Sequence, residues 1–289
     1  MNKIEELEKG ASELGAAGRT NVAVPAWIPT PAVKPRHGWL SSLRSYFILA
    51  PLIWAYTIVL GTISLFCSLF DRDGRVQHNL ARLWSRLIMT TILSPVTVTG
   101  GENLAGTDNS EIDNSNVKPR VYAVTHASAL DIPILYVYLP FQFRIIFKSE
   151  LLSYPFIGWH LKRSGQVCIN QQNPAVSIGA LKSALRSLRR GMPLVIFPEG
   201  GRTRDGELQP FLPGTFFLAI KAQADIVPIA LVGTFDLLPM NTYHIKCQPL
   251  QMRVGKPIST VGFTLQDTDR VLAEVKAAID CLYSAPRTN

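Results

Sequence analysis

The hydrophobic pattern divides the chain into three stretches. Residues 1–38 are polar, with Pro25, Pro29, Pro31 and Pro35 in their second half, and predict a flexible N-terminal tail with a short helical start. Nothing near Met1 has the apolar core and cleavage pattern of a signal peptide. The run 46–70 carries no charge, and about 20 apolar residues suffice to cross a bilayer. Arg44 precedes it and Asp71, Arg72, Asp73 and Arg75 follow, so cations flank both ends and orientation is weakly specified. Pro51 and Gly61 predict breaks that would let the segment dip into the membrane and return. Residues 80–93 repeat at helical spacing, with Arg82 and Arg86 on one face and Leu83, Trp84, Leu87 and Ile88 largely on another, which predicts a helix lying in the membrane interface. The other reading of 39–94 is a buried helix pair of a soluble protein.

From Pro95 the period changes. Residues 96–99 alternate as a strand, 103–120 form a polar loop, and short apolar runs at 121–124, 143–148, 166–169, 193–197, 226–233 and 246–254 predict strands. Between them lie helical patterns, one opening at Asn173–Pro174 and a last one capped near Asp267 with Val271, Val275, Ile279 and Leu282 on one face. Strands alternating with helices give an α/β fold: a mixed, largely parallel sheet flanked by helices, preceded by a membrane-embedded helical segment. Three units result: a tail at 1–38, a membrane anchor at 39–94 and an α/β domain at 95–289.

One stretch concentrates chemistry. The strand 121–124 delivers His126 and, five residues on, Asp131. Imidazole accepts a proton near neutral pH, and a neighbouring carboxylate fixes its tautomer and stabilises the imidazolium. Residues five apart on a regular helix point about 140° away from each other. The pair therefore meets only if His126 precedes the helix and Asp131 lies in its start. The plain alternative is a polar strand end followed by an Asp that suits the helix macrodipole. A second strand, 193–197, ends in Pro198, Glu199, Gly200, Gly201 and Arg202. Ligands of α/β sheets bind beyond the carboxyl ends of strands, which puts His126 and Glu199 at a shared site. Glycines let the backbone approach a ligand, and Arg202 offers a planar fork for phosphate. No Gly-x-Ser-x-Gly nucleophile is present, and Ser128 and Ser149 lack its context. A histidine base without an enzyme nucleophile points to attack by a substrate hydroxyl, which suits acyl transfer to a lipid alcohol.

Composition narrows the class. With 47% hydrophobic residues, 289 residues can bury one substantial core plus an appendage. Lys and Arg outnumber Asp and Glu, 29 to 21, so the partner is anionic: a membrane surface, a phosphorylated ligand or nucleic acid. No basic run is interleaved with aromatics, which argues against nucleic acid. The scattered Cys67, Cys168, Cys247 and Cys281 suit a reducing compartment. The five histidines lack zinc-site spacing, so no metal is expected.

The ordered blocks resemble the glycerolipid acyltransferase family, whose best known members are the bacterial 1-acyl-glycerol-3-phosphate acyltransferases. His126-Ala-Ser-Ala-Leu-Asp131 matches the family's His-x4-Asp, and Phe197-Pro-Glu-Gly-Gly-Arg202 its Phe-Pro-Glu-Gly-Thr-Arg, with Gly201 in place of Thr. Lys148-Ser-Glu-Leu-Leu, Pro155-Phe-Ile-Gly158, Ile226-Val-Pro-Ile229 and Val98-Thr-Gly-Gly-Glu-Asn-Leu104 resemble further segments. The resemblance implies that His126 takes the proton from an acceptor hydroxyl and Asp131 orients it. It implies acyl-CoA or acyl-carrier protein as donor, no further cofactor, and a lysophospholipid acceptor, lysophosphatidate above all. Glu199, Gly200, Arg202, Lys148, Gln171 and Pro228 become the expected substrate-binding residues. The expected location is a membrane, the bacterial inner membrane with the site on its cytoplasmic face. Three departures stand out: Thr125 where the family usually has Asn, Gln171 where it has Arg, and Leu212 where it has Lys; the last two remove positive groups near the acceptor phosphate and so bear on the acceptor. A different lyso-lipid acceptor, a non-catalytic membrane scaffold and a lipid hydrolase using water stay open beside the main reading.

Overall fold

The computed structural model describes residues 39–71, 73–104, 118–170 and 174–286; the tail 1–38, most of the 103–120 loop and Gln171 lie outside these. The strands are β1 (Val96–Thr99), β2 (Arg120–Val124), β3 (Arg144–Lys148), β4 (Val167–Ile169), β5 (Leu194–Ile196), β6 (Asp225–Val232) and β7 (Leu250–Val254). They form one sheet in the order β1-β7-β6-β2-β5-β3-β4. Among the described residues every strand pairing is parallel except β6 with β7. The fold class is the one the alternating pattern predicts. All eight residues of β6 are buried, and β2 is buried from Val121 onward. Such strands are covered on both faces, so they read as unbroken apolar runs, whereas edge strand β1 alternates.

The helices are α1 (Trp39–Arg44), α2 (Ala50–Cys67), α3 (Arg75–Ile92), α4 (Asp131–Tyr138), α5 (Ile157–Arg163), α6 (Pro174–Arg189), α7 (Phe217–Ala222), α8 (Thr234–Leu237) and α9 (Thr268–Ser284). On one face of the sheet Val121, Ala123, Ile196 and Ile226 share a core with residues of α6, α7 and α9. On the other, Tyr122, Val124, Val195 and Ile229 share a core with α3 and α4. A reciprocal cap between Thr264 and Asp267 leads into α9, which buries Val271, Val275 and Ile279.

Three expectations change. The breaks at Pro51 and Gly61 do not occur: a π-helical turn (Ser45–Leu49) joins α1 to α2 without interruption. Proline lacks an N–H and crowds the carbonyl four residues back; the wider turn just ahead of Pro51 accommodates this, with Ala50 N–H donating to Ser45 O. Gly61 serves close approach instead, because a Cβ there would lie 2.8 Å from Phe156 Cβ. The interfacial helix is in fact built into the core. Helix α3 buries Ala81, Ile88, Met89 and Ile92, and Arg82 turns inward to donate to Tyr136 O at 3.0 Å and Leu139 O at 2.6 Å. These are carbonyls at the C-terminal end of α4 that have no partner within their own helix. The strand expected at 246–254 is confined to β7, because Lys246 N–H and Gln248 N–H donate to Leu237 O and Ser94 Oγ rather than to a strand.

The stretch Ser41–Cys67 is long and apolar enough to cross a membrane. It is nevertheless fastened to the rest of the molecule along its length. Arg44 donates to Ile245 O, Trp84 Nε1 to Thr57 Oγ1 at 3.0 Å, and Ser64 Oγ is hydrogen-bonded to His160 Nδ1 at 2.8 Å. Its outer face leaves Phe47, Val59 and Phe66 exposed.

Replacing Arg82 by Met should lower unfolding free energy by about 1.5–3 kcal/mol, the range for a lost hydrogen bond to a charged donor. Arg86→Met, on the exposed side of the same helix, should stay within about 0.5 kcal/mol. Urea denaturation in detergent compares the two; equal losses would refute the inward role of Arg82.

Candidate active site

β5 lies between β2 and β3, so the turns after β2 and β5 and the last residue of β3 meet at one end of the sheet. Asp131 is the first residue of α4, and His126 precedes the helix, as the spacing requires. Pro133 falls in the first turn of α4, where a missing N–H costs nothing. Asp131 is fully buried, and its Oδ2 accepts from His126 Nδ1, Ala127 N–H and Ser128 N–H, each at 2.8 Å. An ionised carboxylate only accepts, so the proton sits on Nδ1 and Nε2 is the basic nitrogen. The His126 ring stacks on Phe197, centroids 4.1 Å apart and planes 21° apart, and keeps 17% of its side chain exposed. The arrangement fixes the ring in one tautomer, with Nε2 as the nitrogen left to take a proton.

The second turn locks the first. Glu199 Oε1 accepts the His126 backbone N–H at 2.8 Å and Oε2 accepts Gln209 N–H at 3.0 Å. Thr203 N–H donates to His126 O at 3.0 Å. Burial pushes the Glu199 carboxyl up, and the N–H groups of Gln209 and His126 pull it back toward ionisation. Both oxygens are thus occupied by main chain, so Glu199 shapes the turn. Gly200 has φ of 70°, and a Cβ there would lie 2.4 Å from Leu212 Cδ1. Only glycine fits that position without strain.

The remaining expected residues divide. Lys148 ends β3, is exposed, and places Nζ 3.8 Å from where a Cβ on Gly201 would sit. Arg202 is exposed on the same turn as Gly201. Pro228 does not join them. It lies inside β6 opposite Ala123, fully within the sheet, with its carbonyl accepting Gly255 N–H at 2.8 Å. Its ring is taken up in packing, with Cγ 2.8 Å from where a Cβ on Gly255 would sit, so the structure gives it a place in the sheet instead of the expected substrate contact. Gln171 lies outside the described residues.

Sequence reasoning missed three supports. Thr125 carries the β2–β6 ladder one step further: its N–H donates to Ile229 O and its Oγ1 accepts Leu231 N–H at 2.9 Å. Phe197 covers the imidazole face, and Thr203 holds the His126 carbonyl. Only Phe197 carried a signal, as the last apolar residue before the glycine turn. Ser128 is buried with its Oγ donating to Leu238 O, which removes it as a nucleophile. His78 and His160 are buried in helix contacts, and burial lowers them to about 3 and about 4, so they stay neutral.

The two glycines of this turn should respond differently. Gly200→Ala forces a left-handed residue against Leu212 and should cost about 1–2 kcal/mol of stability. Gly201→Ala meets only the lysine tip and should stay within about 0.5 kcal/mol. The midpoints of urea unfolding test this, and equal shifts would contradict the geometry.

A family model described as Acyltransferase matches residues 96–232. A chloroplastic 1-acyl-sn-glycerol-3-phosphate acyltransferase of Arabidopsis thaliana is 33% identical over 222 residues, 75% of this chain and 58% of that protein. A 1-acyl-sn-glycerol-3-phosphate acyltransferase of Helicobacter pylori is 30% identical over 159 residues, 54% of this chain and 67% of that protein. The chain spans about half the length of the plant and algal relatives it matches, 58% and 48% in two of them. The crystal structure of a 1-acyl-sn-glycerophosphate acyltransferase from Thermotoga maritima superposes with a TM-score of 0.64 at 23% identity, covering 86% of this chain and 97% of that one, so the fold is shared. The dyad at the end of β2, the glycine turn at the end of β5 and these matches agree, and the chain belongs to the acyltransferase family.

Proposed function

We propose that this protein transfers a fatty acyl group from an acyl thioester, acyl-CoA or acyl-carrier protein, to the free hydroxyl of a lysophospholipid, converting lysophosphatidate to phosphatidate. The observation that carries this reading is the His126–Asp131 pair, oriented at a strand end, with the neighbouring Ser128 hydroxyl engaged to Leu238 O rather than aimed at a substrate. His126 Nε2 takes the hydroxyl proton as the alcohol oxygen attacks the thioester carbonyl. The tetrahedral adduct collapses, the C–S bond breaks, and the imidazolium returns the proton to the departing thiolate. Asp131 keeps the tautomer and stabilises the imidazolium between the two steps. Arg202 and Lys148 supply positive charge for an anionic headgroup.

The membrane location follows from α1 and α2. Because the helix is bound to the domain at Arg44, Thr57 and Ser64, upright insertion would pull the domain into the hydrocarbon. It lies in the plane of one leaflet instead, with its exposed apolar face down. The cytoplasmic face of a bacterial inner membrane is the location we assign.

His126→Ala should reduce turnover by ~10²–10⁴ and leave unfolding nearly unchanged, since alanine retains both backbone bonds to the second turn. A folded variant with near wild-type turnover refutes the dyad. Glu199→Gln replaces one acceptor oxygen with a donor, so kcat should fall about tenfold while KM for the acceptor stays within about twofold. A raised KM with intact kcat would return Glu199 to substrate binding.

Acceptor choice is tested by competition. Arg202→Ala should lower kcat/KM for lysophosphatidate by about tenfold or more, as expected for loss of a charge-assisted hydrogen bond. Leu212 packed against Gly200 favours a second reading, a neutral headgroup. Preferential acylation of a neutral lyso-lipid from an equal mixture would overturn lysophosphatidate as substrate and leave the reaction type standing.

A further inference from the structure

The connection from β3 to α5 carries apolar side chains into solvent. Leu151, Tyr154 and Trp159 are 40%, 52% and 44% exposed. The inner side of the same segment is tightly built. A Cβ on Gly158 would lie 2.4 Å from Leu152 O, so the 3-10 turn (Ser149–Ser153) and α5 form one compact unit. Ile157 N–H donates to Pro155 O at 2.7 Å across Phe156. The φ of 61° and ψ of −55° at Phe156 are those of a three-residue γ-turn with positive φ, a strained conformation for a residue with a side chain.

That strained turn directs Phe156 at α2, where it meets Gly61. Trp159 packs edge-on against Phe156 with centroids 4.9 Å apart. A line of contact therefore runs from the apolar helix through Phe156 to an exposed indole. The exposed side chains of residues 151–159 adjoin α2 through Phe156.

An exposed apolar surface of this extent marks an interaction site. Its chemistry selects a lipid bilayer. Tyr and Trp, each with an apolar body and a polar tip, sit at headgroup level in membranes. Lys162 and Arg163 follow at the exposed end of α5 and suit anionic headgroups. The surface also adjoins the helix that the proposed function already lays on the membrane, and the present inference rests on that reading. We infer that residues 151–159 form a second lipid-contacting element, seated at headgroup depth beside α2. Because the segment starts right after Lys148, this contact holds the cationic rim of the active site at the bilayer surface. A lyso-lipid can then present its headgroup to His126 while its acyl tail stays in the membrane.

The test uses the full chain and vesicles of phosphatidylcholine and phosphatidylglycerol with brominated acyl chains. The emission of Trp159 is the difference between wild type and Trp159→Phe. It should be quenched strongly by bromines near the headgroups and weakly by bromines at the chain ends. A Tyr154→Ser/Trp159→Ser variant should partition to plain vesicles roughly tenfold more weakly, with circular dichroism unchanged. If the chain binds vesicles while Trp159 stays unquenched at every depth, the inference fails and the in-plane anchor survives. If the full chain does not bind vesicles, both fail.

Discussion

The peptide group of His126 is held from both sides: its N–H by a buried carboxylate, Glu199, and its carbonyl by Thr203 N–H. Both partners come from the turn after β5. The imidazole therefore inherits its position from the pairing of two parallel strands, while Asp131 sets the ring's tautomer and rotation and holds the N–H groups of Ala127 and Ser128 in the bend that follows. A site held this way by main chain tolerates variation in the side chains around it. Thr125, Gly201 and Leu212 differ from the family's usual residues, yet the dyad geometry is intact. Thr125 Oγ1 takes a strand N–H, and Gly201 leaves room for a Cβ, with the tip of Lys148 at 3.8 Å.

The parts legible in the sequence are those set by local rules. Buried strands gave unbroken apolar runs at 121–124, 194–196 and 226–232. The five-residue spacing of His126 and Asp131 demanded a bend ahead of a helix, and α4 begins at Asp131. What stayed hidden depends on distant pairing. Glu199 meets His126 across 73 residues of chain, so no local pattern names the peptide group it braces. Arg82 looked like part of a solvent stripe because periodicity cannot tell which polar residue caps another helix. Pro228 drew attention because Ile226-Val-Pro-Ile229 resembles a family segment, but its ring is placed by packing against Gly255.

The catalytic turns and the apolar helix are connected through few intermediaries. Helix α3 bridges them: its Trp84 bonds to Thr57 on one side, and Ile88 and Ile92 enter the core under β2 on the other. A helix that spans a bilayer by length alone is here one wall of the α/β domain. In the membrane-bound state proposed above, its orientation and that of the active site are a single quantity.

The order of strands has a consequence for synthesis. The central strand β2 is complete only when β6 pairs with it, and β6 ends at Val232. The apolar helix ends at Cys67, 165 residues earlier. At roughly 5–20 residues per second, the ribosome exposes that helix for about 8–33 s before the sheet it packs on can exist. During that interval the bare apolar helix has only lipid or a chaperone to shield it. In the membrane-bound state proposed above, capture of the helix by lipid would precede folding of the domain, and the sheet would be assembled on a surface already chosen.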